Sequence, residues 1–197
     1  MLLRLDADEG ALWRGVKSGH RSSIRGAERR GLHIECTRDS ARMGEFVRIL
    51  RETEQRASFF THEEDYFDAV AEELLPTGVA SLYFAIADGD PVAGVLVFDL
   101  GPTRYYAFAA SSARAREVQA APALAWRVIL DAREMGKTWF DFWGAAPPDH
   151  QPDHPWAGIT YFKGAFGAHT ESYAGTWEIP AHPLMARLST LLAAVRR

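Results

Sequence analysis

The sequence predicts an α+β domain built on a mixed sheet. Three strand-like runs, at 80–87, 91–100 and 103–111, follow one another with only short turns between them, the pattern of an antiparallel meander. A long helix at 122–135 comes next, flanked by strands on both sides, so the chain makes a single crossover connection. The other helices gather ahead of the meander instead of alternating with strands, which argues against a doubly wound parallel sheet.

In chain order, residues 6–15 read as a short helix with Asp6 or Asp8 as its cap and Leu12 and Trp13 as apolar contacts. A second helix at 22–30 ends before Gly31, and the four-residue spacing of Arg21, Arg25 and Arg29 puts them on one face. LHIECT, at 32–37, reads as a strand. The helix at 40–55 sets Met43, Phe46, Val47 and Leu50 at helical spacing, and 63–75 repeats this with Tyr66, Phe67, Val70, Leu74 and Leu75. Pro76, Thr77 and Gly78 break the chain before the meander, whose first turn carries the hairpin signal Asp88-Gly89. Gly136 closes the crossover helix. TWFDFWG, at 138–144, is a buried strand, followed by a proline-broken loop at 146–156. A last strand at 172–179 and a final helix at 183–197 complete the expected order.

The chain has 197 residues, 47% of them hydrophobic, enough for one full core; a single domain over 1–197 is expected. One cysteine, Cys36, excludes an internal disulfide framework and a cysteine-rich zinc site, and fits a reducing, cytoplasmic compartment. The short apolar start is broken by Arg4 and Asp6, unlike a signal peptide, and no uncharged apolar run approaches roughly 18 residues. Net charge is −4, yet residues 13–31 carry six cations against Glu28 alone, while 61–75 is acidic. The basic segment reads as a solvated helix face, a phosphate or tRNA surface, or a contact to an anionic membrane surface. Its aromatic residues are too sparse for stacking on single-stranded nucleic acid.

The element order is that of the acyltransferase fold of the GNAT type. Such enzymes hold the diphosphate of CoA on backbone amides at the start of the crossover helix, with the pattern Gln/Arg-x-x-Gly-x-Gly/Ala. This chain reads QAAPAL at 119–124. Pro122, placed as the first helical residue, has no N–H to offer, and Leu124 replaces a small residue. Arg56 stands at a helix end ahead of two aromatics, as a dipole-stabilising surface residue or a diphosphate clamp. Period two turns Asp141 away from Phe140 and Phe142, as a structural hydrogen-bond acceptor or a site carboxylate. The histidines lack metal-ligand spacing, no Gly-x-Ser-x-Gly elbow occurs, and Cys36 has no evident partner, so metal and covalent-nucleophile chemistry have no support. In GITYFKGAFGAHT, at 158–170, Lys163 sits between aromatics and glycines. It is either a solvated lysine on a short helix or a cation placed to stabilise the oxyanion of an ester under attack by an amine.

Together HRSSIRGAERRGL, TEQRASFF followed by DYF, DGDPVAGVLVF, YYAFAAS, the crossover helix with its FDFWG strand, and GITYFKGAFG resemble the Fem family of non-ribosomal peptidyltransferases, which form peptidoglycan bridges. The similarity runs from about residue 3 to 180, and Phe-Lys-x-x-Phe-Gly and Phe-Asp-Phe-x-Gly are its most specific parts. It implies transfer of an aminoacyl group from aminoacyl-tRNA to a stem-peptide amine on a UDP- or lipid-linked muropeptide, with aminoacyl-tRNA as co-substrate and no bound cofactor. It implies that Lys163, with Phe162 beside it, stabilises the tetrahedral intermediate or contacts the tRNA end. Arg56 would grip the muropeptide diphosphate and Phe60 would touch substrate. Tyr105 or Tyr106 would line the peptide channel, with Gly164 and Gly167 admitting the ligand. Arg21, Arg25 and Arg29 would face the tRNA, and Asp141 is the candidate general base. Typical members carry two GNAT-like domains and this chain resembles the second; a second copy, packed through Leu184, Leu188, Leu191 and Leu192, could complete the groove. The fold alone leaves two alternatives, an acyl-CoA N-acyltransferase and a non-catalytic half-domain.

Overall fold

In the computed structural model, residues 1–57 and 59–175 are described; residues 172–175 of the expected last strand are not in a strand, and the rest of it and the final helix lie outside the described residues, as do the leucines proposed for dimer contact. One six-stranded sheet runs through these residues in the order β1-β6-β5-β4-β3-β2. The strands are β1 (Leu2–Arg4), β2 (His33–Thr37), β3 (Ala80–Ala87), β4 (Asp90–Leu100), β5 (Thr103–Ser111) and β6 (Trp139–Asp141). Every pairing is antiparallel except β5 with β6. The expected meander and its one parallel crossover are therefore present, and the class is α+β.

The helices are α1 (Glu9–Gly15), α2 (Ser18–Arg29), α3 (Met43–Ala57), α4 (Glu64–Glu73), α5 (Arg114–Glu117), α6 (Ala120–Glu134) and α7 (Ala157–Gly164), with a 3-10 turn at Ser40–Arg42. Asp8 is the cap of α1, its carboxylate accepting the Ala11 N–H at 2.7 Å; Asp6 pairs with Arg4 instead. The second helix starts at Ser18, four residues before the expected boundary, without a side-chain cap to mark it. The crossover helix α6 begins at Ala120, so Pro122 is its third residue and not its first. Proline is tolerated there because the first-turn N–H groups have no partner within the helix.

Alternation along β3 builds two cores. Leu82 and Phe84 face one side with Phe46, Ile49 and Leu50 of α3 and Phe67 and Val70 of α4. Tyr83 and Ala85 face the other, with Leu12 of α1, Ile24 of α2 and Leu124 and Ile129 of α6. Helices on both faces make β3 a nearly continuous apolar run. The Asp88-Gly89 turn has φ of 50° and 86°, the left-handed pair that a two-residue type I′ hairpin requires. In β5, Phe108 pairs with Leu96 and Tyr106 with Val97, which leaves Ala107 as the extra residue of a bulge.

β1, which no periodicity marks, pairs with β6 over three residues. Beside it, where β5 begins, a buried ion network fixes the sheet. Arg104, 1% exposed, grips both carboxylate oxygens of Asp99 at 3.0 and 2.7 Å and donates to the Tyr83 hydroxyl at 2.8 Å. Lys137 adds a second cation 3.6 Å from Asp99. Breaking such a pair leaves a buried charge short of partners. Arg104→Leu is expected to lower the free energy of unfolding by about 3 kcal/mol in urea titration.

Candidate functional site

β5 and β6 are paired only from Thr103 to Tyr105 against Trp139 to Asp141, and then they part. Beyond the split, β5 continues through Tyr106–Ser111 while the other strand turns away at Trp143, whose φ is 69°. Left-handed backbone is costly for a bulky residue and needs support. The Asp141 carboxylate supplies it by accepting the Trp143 N–H at 2.7 Å, and Lys163 holds the next carbonyl, that of Gly144. The expected strand 138–144 is thus cut to three residues.

Helix α7 brings Lys163 to the split. It is buried, 7% exposed, which overturns the reading of a solvated lysine. Its Nζ donates to the Gly144 carbonyl at 2.5 Å. Burial pulls its pKa down to about 8, against the pull of Asp141 toward the charged form. A cavity of about 200 Å³ opens beside it, walled by Tyr106, Ala107, Phe142, Trp143, Phe162 and Phe59. Phe162 packs edge-on against Phe166 and beside the His20 ring, with ring centres 5.3 and 5.2 Å away. Burial, reinforced by Lys17, keeps His20 below its ordinary pKa.

Phe162 also lines a second cavity, of about 470 Å³, at the first turn of α6. Arg56 and Arg116 are its charged side chains, with Ser111, Ser112, Gln119 and Pro122 beside them. Arg56 donates to the Ser111 carbonyl at 2.8 Å and its hydroxyl at 3.1 Å, while Thr53 accepts the Ser111 N–H at 2.8 Å, so the end of α3 is stitched to the end of β5. Gln119 enters α6 with φ 57° and accepts a hydrogen bond from Arg30 at 2.7 Å. Pro122 lies on this wall without an N–H, so the successive amides that a CoA diphosphate needs are interrupted. The residues present do not fit that cradle.

Trp143 separates the central cavity from a third, of about 770 Å³, lined by Tyr105, Asp141, Glu171 and Tyr173. Alternation sends Tyr105 to this cavity and Tyr106 to the central one, where burial against Phe140 and Phe142 raises the Tyr106 pKa. The Met1 amine lies 3.7 Å from Asp141 and donates to the Trp143 carbonyl at 2.5 Å.

The other expected site residues lie elsewhere. Gly164 faces Met1, and Gly167, with φ 87°, ends the turn after α7 against the Gly15 carbonyl; neither lines the three cavities. Phe60 is 60% exposed under the Arg51 guanidinium, in a separate shallow depression. Arg21 caps the C-terminal end of α1 through the Val16 and Arg14 carbonyls, Arg25 lies over Trp13, and Arg29 is exposed. The face is basic, but only part of it is free to meet an anion.

Phe59, Thr61, Glu54, Arg116 and Trp143 were not anticipated. Glu54 follows Phe46 and Leu50 on one stripe of α3, a spacing that placed a carboxylate on the buried face. It accepts from the Thr61 N–H at 3.0 Å and hydroxyl at 2.6 Å, and from Arg51 at 2.7 Å. Burial would raise its pKa, but these bonds hold it below the usual carboxylate range. Glu54 thereby fixes the loop that carries Phe59 and Thr61 to the central cavity.

The Lys163 shift has a consequence for stability. The unfolded chain holds this proton up to the ordinary lysine range, whereas the folded chain releases it near 8. Between those values the unfolded state binds more protons, so stability rises with pH. Relative to Lys163→Met, the melting temperature of the wild type is expected to increase between pH 7 and 10. A constant difference across that range would contradict a buried, titrating Lys163.

A family model described as an acetyltransferase (GNAT) domain matches residues 15–154. Among solved structures the fold is similar to that of FemX, with a TM-score of 0.78 and 20% identity, covering 85% of this chain and 57% of that one. L-PGS from Bacillus licheniformis matches with a TM-score of 0.58 and 16% identity, covering 84% of this chain and 55% of that one. An aminoglycoside acetyltransferase from an uncultured soil sample, in complex with sisomicin, matches with a TM-score of 0.54 and 14% identity over 76% of this chain and 97% of that one. The chain therefore spans little more than half the length of FemX and L-PGS. A search of curated protein sequences found no match. No helix among the described residues is long and apolar enough to cross a membrane. The match over most of its length makes the chain a member of the GNAT acetyltransferase-domain family, with a fold like that of the Fem-type proteins.

Proposed function

We propose that this acyltransferase is an aminoacyltransferase that moves an aminoacyl group from aminoacyl-tRNA to a stem-peptide amine of a peptidoglycan precursor. The observation that carries the reading is Lys163, a buried cation at the split between β5 and β6, flanked by the Arg56 and Arg116 cavity on one side. The likeness to FemX and the interrupted amide cradle at Pro122 support it over acyl-CoA chemistry.

In this reading the donor ester enters the central cavity and the acceptor nitrogen attacks its carbonyl. A carbon–nitrogen bond forms, the oxyanion develops beside Lys163, and the ester carbon–oxygen bond then breaks. The proton lost by the amine ends on the departing ribose hydroxyl. Lys163 acts as the charged donor in a site where little water screens it. Asp141 is the candidate base, and its bond to the Trp143 N–H also gives it a positioning role. Desolvation of the amine and alignment with the ester supply the rest of the rate. Arg56 holds a diphosphate, and the open cations of α2, Arg25 and Arg29, meet the tRNA.

Charged tRNA and a UDP-linked muropeptide, assayed for transfer, test this. Lys163→Ala is expected to lower kcat by about 100-fold while charged tRNA still binds on filters. Arg56→Ala is expected to raise the muropeptide KM about ten-fold with less effect on kcat. The wild-type kcat is expected to fall as pH rises through about 8, where Lys163 loses its proton. Failure to bind either substrate, or tight calorimetric binding of acetyl-CoA, would overturn the proposal.

A further inference from the structure

Among the described residues, Phe162 is the one residue on the walls of both the central cavity and the cavity at the start of α6. It is therefore the partition between Arg56 and Arg116 on one side and Lys163 on the other. What backs this partition comes from α2. His20 packs its ring against Phe162 and meets Phe166 edge-on, with ring centres 5.2 and 5.0 Å away. The Phe162 carbonyl accepts a hydrogen bond from the same ring. Ser23, on the same face of α2 as His20, lines the arginine cavity itself. Just ahead, the Lys17 N–H donates to the Ala165 carbonyl at 2.7 Å, and the Lys17 ammonium lies 4.6 Å from the centre of the Tyr161 ring. The first turn of α2 thus clasps the last turn of α7, the helix that carries Lys163.

We propose that His20 is a positioning residue: its uncharged ring holds Phe162 in place as the partition and so keeps solvent in the arginine cavity away from Lys163. The consequence for catalysis rests on the transfer reaction above; the partition itself does not. The surroundings of the imidazole suit its neutral form. Its Nε2 is buried with no hydrogen-bond partner among the described residues. A proton added there finds no acceptor. The neighbouring charges offer no compensation. On α2, Lys17 is a like charge, Arg21 is turned to the Val16 carbonyl, and the one carboxylate of the helix, Glu28, lies near its far end. Helix α7 and the turn after it bring Tyr161 and Lys163, the latter bonded to the Gly144 carbonyl, but no carboxylate. Burial and Lys17 accordingly hold the His20 pKa below the ordinary histidine value. Protonation drives the ring toward water and takes its support from Phe162. Solvent then reaches Lys163, and a hydrated ammonium stabilises an oxyanion less well.

Titration of Lys163 without any substrate tests the partition separately from catalysis. The full chain, isotopically labelled at its lysines, is followed by NMR, with the Lys163 signal identified by its loss in Lys163→Met. The wild-type signal is expected to titrate at about 8. His20→Ala removes the support and is expected to move that midpoint up toward the ordinary lysine value. His20→Phe keeps a ring without a titrating group and is expected to return the midpoint to that of the wild type. In the transfer assay, His20→Ala is expected to lower kcat about ten-fold with the muropeptide KM unchanged, and His20→Phe to recover most of the loss. Below the ordinary histidine range, the wild-type kcat is expected to fall more steeply with decreasing pH than that of His20→Phe. A Lys163 midpoint untouched by His20→Ala, or identical acid limbs in the wild type and His20→Phe, would overturn the inference. A raised midpoint in a chain that transfers no aminoacyl group would count against the proposed reaction and leave the partition standing. Transfer by His20→Ala at the wild-type rate would overturn the positioning role and leave the reaction standing.

Discussion

The arrangement depends on one event in the sheet: β5 and β6 pair for three residues and then separate. Two parallel strands that stay paired offer no space between them. Once they part, backbone groups on both inner edges lose their ladder partners and must find others. On the Trp143 side these come from side chains, Asp141 for an N–H and Lys163 for a carbonyl. The same lysine that closes the backbone account therefore becomes the one charge that the described residues bring to the wall of the central cavity. Structure and chemistry meet in a single ammonium group, and its depressed pKa follows from that position.

The paired end is built in the opposite manner. Arg104, Asp99 and Tyr83 are joined in a buried hydrogen-bond network, with Lys137 3.6 Å from Asp99 and bonded to the Gly101 carbonyl. The open end is held from α3, where Thr53 and Arg56 bind the end of β5 and Glu54 fixes the loop carrying Phe59. The cavities are thus set by polar contacts from elements distant in sequence, on two apolar layers that fix the sheet.

Much of the fold was legible because local signals agreed with the global pattern. The Asp88-Gly89 hairpin, the apolar run of β3 and the stripes of α3 and α4 each point to one structure. β1 was not legible, since three residues are too few for a period, and its partner lies near residue 140. The start of α2 lacked a capping side chain. At the site, Lys163 stood out as a cation among aromatics and small residues, and it is buried there. Its glycine neighbours misled: a glycine reports that something approaches closely, and here that is Met1 and the Gly15 carbonyl. Trp143 was hidden for a different reason. Left-handed backbone is anticipated at glycine or asparagine, and nothing in FDFWG marks the tryptophan for it.

The network around Arg104 lies outside the three cavities, but it sits at the hinge of the fork. Like the rivet of a pair of tongs, it fastens strands that would otherwise be joined by backbone alone: Arg104 on β5 reaches Asp99 on β4 and Tyr83 on β3, and Lys137, just ahead of β6, reaches the Gly101 carbonyl. The fork is thus pinned at its closed end by side chains that lie outside all three cavities.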